Sequence, residues 1–252
     1  MKVFLCQDSI EGILSGVYDA WASKEGHDNV KLALRGAGDM ELFAEYVAVP
    51  ADYEKAEKVL RTLKRRMHFE DFLAVYRAVL SEDQTKADSI YRVIVFALHT
   101  NRRIMDNLEQ PAVYHVFQMA RKTGNEAGRY LEFVRFRELE NGALFSEIAP
   151  ANQVLPLIGD HFANRLPLEN FVIYDTTHRV SLFHAAGRSW VLMDTDEVDM
   201  KKLRISEGER EMSRNWQAFF DQIAIEERKN KRLQQQFLPL KFRTYMTEKF
   251  NK

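Results

Sequence analysis

The sequence predicts an α+β protein, with a mainly helical N-terminal part (residues 1–125) followed by an antiparallel sheet and C-terminal helices (residues 126–252). The first observation behind this prediction is that apolar residues recur at helical intervals up to about residue 122. The second is a change, beyond residues 123–128, to alternating apolar and polar residues separated by turn signals. With 46% hydrophobic and 29% charged residues in 252, the chain is typical of a globular protein that buries a full core.

The chain opens with a predicted strand and helix. Residues 2–6 are predominantly apolar and predict a short strand. Asp8, with Glu11 three residues later, has the spacing of a capping box and predicts a helix start. Apolar residues then follow at helical spacing over residues 10–21, so we expect an amphipathic helix there.

Further helices are predicted along the N-terminal part. Residues 46–49 predict a short strand that ends before Pro50, and Asp52 predicts the N-cap of the next helix. Two more helices are indicated by apolar stripes over residues 69–80 and 90–98.

A fourth helix is predicted from Pro111, a residue favoured in the first helical turn, to about Lys122. The segment Thr-Gly-Asn-Glu-Ala-Gly at 123–128 contains two glycines and polar neighbours, which favours a joint between two subdomains. We expect both subdomains to belong to one module.

The C-terminal part has the signals of a sheet. Asn141-Gly142 is a strong hairpin signal. A helix is predicted over 152–165 and a turn at Ala186-Gly187. A long helix is predicted over about 207–230, with an apolar stripe of Met212, Trp216, Phe219 and Ile223, and we expect Trp216, Phe219 and Phe220 to lie in the core. Strands are predicted at 133–138, 143–149, 171–175, 179–185 and 188–193. The order β-β-α-β-β-β predicts an antiparallel sheet with a helix against one face.

Several chemistries are excluded by the residues present. Cys6 is the only cysteine, so the chain has no intrachain disulfide and no cysteine-ligated cluster of its own. No run of about 18 apolar residues is present and the N-terminus does not resemble a secretory signal, so we expect a cytoplasmic protein without membrane contact. Asp175, His178 and His184 could converge across a hairpin, but histidines in strands are more often simply polar residues, and no H-E-x-x-H motif is present. We therefore predict neither a metal site nor a cofactor.

The net charge of −1 conceals an asymmetry along the chain. Residues 1–60 carry 6 Lys and Arg against 11 Asp and Glu, whereas residues 226–252 carry 8 against 3. A basic C-terminal end has two explanations, a solvated charged face or a surface that attracts phosphate.

Long segments of the C-terminal half resemble a known family. These are FVRFRELENGALFSEIAPANQVLPLIGDHFANRLPLENFVIYDTTHR at 133–179 and AFFDQIAIEERKNKRLQQQFLPLKFRTYMTE at 218–248, together with the opening Ser-Ile-Glu-Gly-Ile-Leu at 9–14. They are similar to bacterial proteins described as probable DNA metabolism proteins, a domain of unknown function. The resemblance implies a gene beside a radical-SAM protein described as a putative DNA modification or repair protein. It also implies that some bacteria fuse this domain to a uracil-DNA-glycosylase-like domain.

The family-like segments contain the candidate site residues. His161 and Arg165 are four residues apart on a predicted helix and therefore share one side. Arg135 and Arg137 share one side of a predicted strand, which suits either a solvent-facing surface or contact with phosphates. We predict one positively charged nucleic-acid surface from Arg135, Arg137, His161, Arg165, Arg228 and Lys231. The candidates for catalysis are His161, Asp175 and Glu226.

Two functions follow from these residues. The first is an accessory protein of DNA metabolism or repair that binds nucleic acid and works with a radical-SAM partner. The second is a nucleic-acid-processing hydrolase, a nuclease or base-processing enzyme, that uses Asp175 or Glu226 with His161. The sequence leaves open whether the chain is itself an enzyme.

Overall fold

The computed structural model describes residues 1–37, 41–100, 103–195, 203–223 and 230–246. The chain divides into two compact units, Met1–Asn125 and Glu126–Lys252, and each contains a sheet and helices. The α+β class predicted from the sequence is therefore confirmed. None of the helices in the described ranges is long and apolar enough to cross a membrane.

The helices and strands have the following bounds. The strands are β1 (Lys2–Cys6), β2 (Val30–Leu34), β3 (Glu45–Ala48), β4 (Arg137–Glu138), β5 (Leu144–Ile148), β6 (Phe171–Asp175), β7 (Val180–His184) and β8 (Val191–Asp194). The helices are α1 (Ile10–Ala22), α2 (Tyr53–Arg66), α3 (Phe69–Val79), α4 (Lys86–His99), α5 (Pro111–Phe133), α6 (Leu155–Arg165), α7 (Glu207–Ile223), α8 (Lys231–Phe237) and α9 (Leu240–Arg243).

The first unit contains a three-stranded parallel sheet in the order β2-β1-β3. Strands β1 and β3 were predicted from the sequence, but β2 was not. The β2 residues Val-Lys-Leu-Ala-Leu pair in register with β1 from Lys2↔Val30 to Cys6↔Leu34. The alternation in β2 is clear, since Val30, Leu32 and Leu34 are buried while Lys31 and Ala33 are half-buried. Helix α1 forms the connection that parallel pairing of β1 and β2 requires.

The predicted start of α1 is corrected by one residue. Ser9, not Asp8, is the N-cap, and its hydroxyl accepts a hydrogen bond from the Gly12 amide at 2.9 Å. The Asp8 carboxylate instead pairs with Lys86 Nζ at 2.6 Å, and the Lys86 side chain is fully buried. A buried ammonium needs an opposite charge, so this pairing explains why Asp8 is not available as the cap.

Helix α5 is longer than predicted, since it continues beyond Lys122 through residues 123–128, and the division between the two units falls within it, between Asn125 and Glu126. These residues are helical because Thr123 and Ala127 are buried and Gly124 packs against the Arg77 guanidinium. Packing thus outweighs the low helix propensity of glycine. Of the strand predicted over 133–138, only Arg137 and Glu138 form a strand, β4. Phe133 ends α5, and the Val134 amide still donates a helical hydrogen bond to the Tyr130 carbonyl oxygen.

The second unit contains a five-stranded sheet in the order β4-β5-β6-β7-β8. The hairpin at Asn141-Gly142 is confirmed, with Gly142 at φ 78° between the antiparallel strands β4 and β5. The prediction of a wholly antiparallel sheet is wrong at one place, because β5 and β6 are parallel. Helix α6 connects them and returns the chain to the edge where β5 began, which makes the parallel arrangement possible.

The larger core cluster of the second unit lies against one face of this sheet, and a smaller cluster with Phe145 and Tyr174 lies on the other. Phe171, Ile173 and Leu182 are at most 1% exposed and pack with α6 through residues such as Phe162. The ring of Phe136 meets the rings of Phe162 and Phe171 at 5.5 and 5.4 Å between centroids. The apolar residues that predicted a strand at 133–138 therefore contribute to the core instead.

Helix α7 presents an exposed apolar face, contrary to the prediction that it is buried. Trp216 is 44% exposed and Phe219 is 51% exposed, and their rings contact each other at 5.9 Å. The end of the helix predicted over 207–230 lies outside the described residues. Asn230 caps the separate helix α8, because its side chain accepts a hydrogen bond from the Leu233 amide.

Glycine at position 12 is required by the close approach of α1 to Gln7, the residue that follows β1. An added Cβ at Gly12 would lie 2.4 Å from the Gln7 carbonyl oxygen, which is backbone and cannot rotate away. We expect Gly12→Ala to lower the free energy of unfolding by about 1–3 kcal/mol. Gly128→Ala in α5, where nothing lies within 4 Å, is the control and should be neutral or stabilising by about 1 kcal/mol. Urea denaturation of both variants checks this, and equal stability of the two would contradict it.

Candidate functional site

The carboxyl ends of β5 and β6 form one edge of the second sheet, and polar residues collect there. The two strands are parallel and in register at their ends, Ile148↔Asp175. The segments that follow them, residues 149–152 and 176–178, therefore leave the sheet side by side. The carboxyl edge of parallel strands is a common location for functional groups.

Glu126 is the most connected group at this edge. Its carboxylate accepts hydrogen bonds from the amides of Ala151 at 3.2 Å and Asn152 at 2.9 Å, and from the Asn152 side chain at 2.6 Å. Lys241 Nζ completes the set at 2.6 Å. Burial alone would raise the pKa of Glu126, but Lys241 and the donors of residues 151 and 152 outweigh it, so the pKa is lowered. Glu126 is therefore an ionised, buried carboxylate whose acceptor sites are all used. We call it an anchor, because its hydrogen bonds hold residues 151, 152 and 241 in place.

Asp175 forms a second buried anchor at the end of β6. Its carboxylate accepts hydrogen bonds from the amides of Thr177 at 2.9 Å and His178 at 3.1 Å, which fixes the turn into β7. The other oxygen lies 2.7 Å from His178 Nδ1. The His178 side chain is 22% exposed, whereas that of Asp175 is 2% exposed. This is the geometry in which a carboxylate orients an imidazole and favours one tautomer.

Aromatic residues lie between and beside the two anchors. Burial raises the pKa of the Tyr130 hydroxyl, and the charges of Glu126 and Asp175 raise it further, so this tyrosine stays neutral. Its ring meets the Phe242 ring edge-on at 5.0 Å. The hydroxyl of Tyr245 lies 3.4 Å from Thr176 Oγ1, which places residue 245 beside the Asp175 turn.

A cleft of about 710 Å³ also lies in the second unit, and Tyr245 lines it. Three arginines share this lining, Arg137 from β4 and both Arg210 and Arg214 from α7. We call the space bounded by these three arginines and Tyr245 the arginine cleft. Arg210 and Arg214 are one helical turn apart and therefore project from the same side of α7.

The charges of the arginine cleft are only partly compensated. Arg137 Nη2 pairs with Glu147 Oε2 at 2.8 Å. Glu209, the other acid of the lining, accepts a hydrogen bond from the Ser213 hydroxyl at 2.8 Å. Among the residues that the structure describes, neither Arg210 nor Arg214 has a carboxylate partner, and both are exposed. The cleft therefore presents two uncompensated guanidinium groups.

The sequence-predicted catalytic residues do not form one group. Asp175 is paired with His178 rather than with His161. The His161 ring is exposed and contacts its neighbour Phe162 at 5.1 Å, and no contact in the described part of the chain joins it to Asp175. Glu226 lies outside the described residues.

The predicted cationic residues are distributed over several places. Arg137 lines the arginine cleft, whereas Arg165 is exposed in the last turn of α6, which leads to the start of β6. Because a five-residue strand is about 13 Å long, Arg165 lies toward the opposite edge of the sheet from Asp175. Arg135 donates hydrogen bonds to the carbonyl oxygens of Glu132 and Val134, and Lys231 is exposed in the first turn of α8. Arg228 lies outside the described residues.

Several residues of the site were not predicted from the sequence. Arg210 and Arg214 were detectable, since a four-residue spacing on a predicted helix places two arginines on one side. Glu126 was not predicted as a site residue, because it belongs to the glycine-containing segment 123–128, whose composition favours a joint between two subdomains. In the described ranges, no group of three or more His, Cys, Asp or Glu side chains is placed to hold a metal ion.

Comparison with known proteins identifies the family of this chain. The profile of a domain of unknown function, DUF4130, matches residues 84–248, and the chain belongs to this family. The match includes the sheet edge and the arginine cleft but not the opening segment 9–14. No curated protein matches the chain.

One similar solved structure is described as the DHH domain of a member of a family of ribosomal proteins. It is 11% identical, with a TM-score of 0.32 over 73% of each chain, and a likeness of this extent carries no information on function.

The buried Glu126 carboxylate predicts a pH-dependent contribution to stability. We expect Glu126→Gln to lower the free energy of unfolding at neutral pH by about 1.5–3 kcal/mol, because its charge-assisted hydrogen bonds weaken. The folded pKa lies below the unfolded one, so this stabilisation is complete above about pH 4.3 and is lost as the pH falls through the folded pKa. The difference between wild type and variant should therefore narrow in acid.

Urea denaturation at several pH values measures this difference. Glu132→Gln, on the same helix but with a 58% exposed side chain, is the matched control and should have little effect at any pH. A difference for Glu126→Gln that widens in acid would show that the carboxylate is not stabilised as described.

Proposed function

We propose that this protein binds nucleic acid through the arginine cleft and serves as an accessory protein of DNA metabolism or repair, acting with a radical-SAM partner. The observation that carries the proposal is the pair Arg210 and Arg214, exposed, without carboxylate partners in the described part, and beside Arg137 in one cleft. Phosphate groups are the usual partners of such guanidinium groups. The family resemblance supports the DNA process and the partner.

The rest of the lining also suits a nucleic-acid strand. Ser213 and Gln217 belong to the cleft together with Tyr245. Hydroxyl, amide and phenol groups are common phosphate and sugar contacts beside arginine. An aromatic ring next to a cationic groove also provides a stacking surface for a base, which favours a single strand over a duplex.

An accessory role agrees with the state of the single cysteine. Cys6 is fully buried, and burial raises the pKa of its thiol to about 12. Ligation of a radical-SAM cluster needs three accessible thiolates, so such chemistry would reside on the partner. The role that we propose for this chain is to hold the nucleic acid for that partner.

A second candidate function, a nucleic-acid-processing hydrolase, is favoured by one observation. His178 Nδ1 is held by Asp175 at 2.7 Å, and the imidazole is partly exposed at the sheet edge. A carboxylate-oriented histidine is a common general base. This hydrolase would use Asp175 with His178, in place of the pairing with His161 suggested by the sequence.

Neutralising the cleft tests the proposed binding. We expect Arg210→Gln/Arg214→Gln to weaken binding of a single-stranded oligonucleotide and to reduce the slope of log affinity against log salt by about 0.7 for each lost phosphate contact. Fluorescence anisotropy across a salt titration measures both quantities. Arg121→Gln/Arg188→Gln, which removes the same charge from two exposed arginines outside the cleft, should leave the slope nearly unchanged.

Two results would count against this binding mode. If the cleft variant and the wild type bind the oligonucleotide with equal affinity across the titration, nucleic acid does not bind in the arginine cleft. A larger loss from His161→Gln/Arg165→Gln than from the cleft variant would instead favour the surface predicted from the sequence.

A turnover assay separates the accessory protein from the hydrolase. We expect the purified chain to release no base and to cleave neither single-stranded, duplex nor uracil-containing DNA, with or without divalent metal. Cleavage that is abolished by His178→Gln but retained by His161→Gln, with both variants folded by circular dichroism, would establish the hydrolase.

A further inference from the structure

The first unit contains a pocket of about 490 Å³ bounded by α1, α2 and α4. Its volume is within the range of small-molecule sites, roughly 300–1,000 Å³. Val17, Leu63 and Ile94 form its floor and are at most 3% exposed. The floor is therefore part of the permanent core and does not need to form when a ligand enters.

One wall of the pocket is an aromatic surface. Trp21 lines it and remains 40% exposed. Its ring is stacked on His99, with centroids 6.1 Å apart and planes at 28°, and it contacts His27 at 4.6 Å. His27 is in turn fixed by Tyr91, whose hydroxyl lies 2.8 Å from His27 Nδ1. Trp21 is thus held in place while a large part of it remains available for contact.

The rim of the pocket is cationic. Lys58, Arg65 and Arg66, all on α2, line it and are exposed, and none of them has a carboxylate partner among the described residues. Two other cations of α2 do have carboxylate partners, since Lys55 pairs with Asp19 at 2.7 Å and Arg61 pairs with Glu57 at 2.8 Å, whereas Lys64 lies over the Phe72 ring at 5.8 Å.

The helix dipole alone does not explain this rim. It favours basic residues in the last turn of α2, where Arg65 and Arg66 lie. It does not favour Lys58 two turns earlier, and it does not account for an apolar pocket with an exposed tryptophan beside the cations.

We propose that this pocket binds a nucleoside monophosphate unit, with the base against Trp21 and the phosphate at Arg65 and Arg66. A planar ring gains stacking energy on tryptophan, and a phosphate compensates the arginines through charge-assisted hydrogen bonds. The unit is either a free nucleotide or one nucleotide of a single strand, which present the same chemistry. The proposal concerns a different unit from the arginine cleft and does not depend on it.

Calorimetric titration of the full chain with 2′-deoxyadenosine 5′-monophosphate tests the pocket. We expect saturable binding, and at least about tenfold weaker binding of deoxyadenosine and of deoxyribose 5-phosphate, because each lacks one of the two recognised groups. Trp21→Leu and Arg65→Gln/Arg66→Gln should each weaken nucleotide binding about tenfold or more. The arginine variant changes only exposed side chains, so it remains informative if Trp21→Leu fails to fold.

Two controls assign the binding to this pocket. Arg61→Gln removes a charge from the same helix outside the pocket and should leave the affinity within about twofold of wild type. Arg210→Gln/Arg214→Gln should also leave it unchanged. Loss of nucleotide binding in that cleft variant, no binding at millimolar nucleotide, or retention of full affinity in Arg65→Gln/Arg66→Gln would overturn the proposal.

Competition identifies the source of the nucleotide. If a 5′-phosphorylated pentanucleotide displaces the mononucleotide at equal or lower concentration, the pocket takes one nucleotide of a strand. If the pentanucleotide does not displace it, the pocket is a site for free nucleotides.

Discussion

The buried carboxylate of Glu126 joins three segments that are distant in the sequence of the second unit. It is held on α5, it fixes the loop after β5 through Ala151 and Asn152, and it binds Lys241 of α9. An ionised carboxylate cannot remain in such a place unless its acceptor sites are filled, so these segments have little freedom to separate. Asp175 acts in the same way on the turn after β6. The carboxyl edge of the β5–β6 pair is consequently rigid.

Charges in this protein follow two patterns. Several buried charged groups have an opposite charge as partner, as Lys86 has Asp8 and Glu126 has Lys241. In the arginine cleft and at the rim of the pocket in the first unit, exposed cations without a carboxylate partner among the described residues lie beside aromatic residues. Uncompensated cations beside aromatic residues suit ligands that carry both phosphate and a planar ring. Both proposals therefore follow from the same physical argument applied to different residues.

The sequence correctly predicted turns and helix caps that depend on only one or two neighbouring residues. The Asn141-Gly142 hairpin and the Asp52 cap are examples, since a turn type or a single side chain decides them. The failures occurred where distant packing decides the structure. Residues 123–128 contain glycines typical of a loop, yet burial of Thr123 and Ala127 keeps them helical. The parallel β5–β6 pair depends on the route of α6, which periodicity alone does not reveal. The site was predicted only in part, because the contact between Glu126 and Lys241 joins residues that are 115 positions apart.

Amide hydrogen exchange of the whole chain, with and without a single-stranded oligonucleotide at low salt, tests the central claim most directly. If nucleic acid binds in the arginine cleft, we expect slower exchange in β4, in the first half of α7 and at residues 244–246, which surround the cleft. We expect little change in the turn at residues 185–188, at the opposite edge of the sheet. Protection confined to that turn and the end of α6, or no protection in the second unit at a saturating concentration, would contradict binding through the arginine cleft.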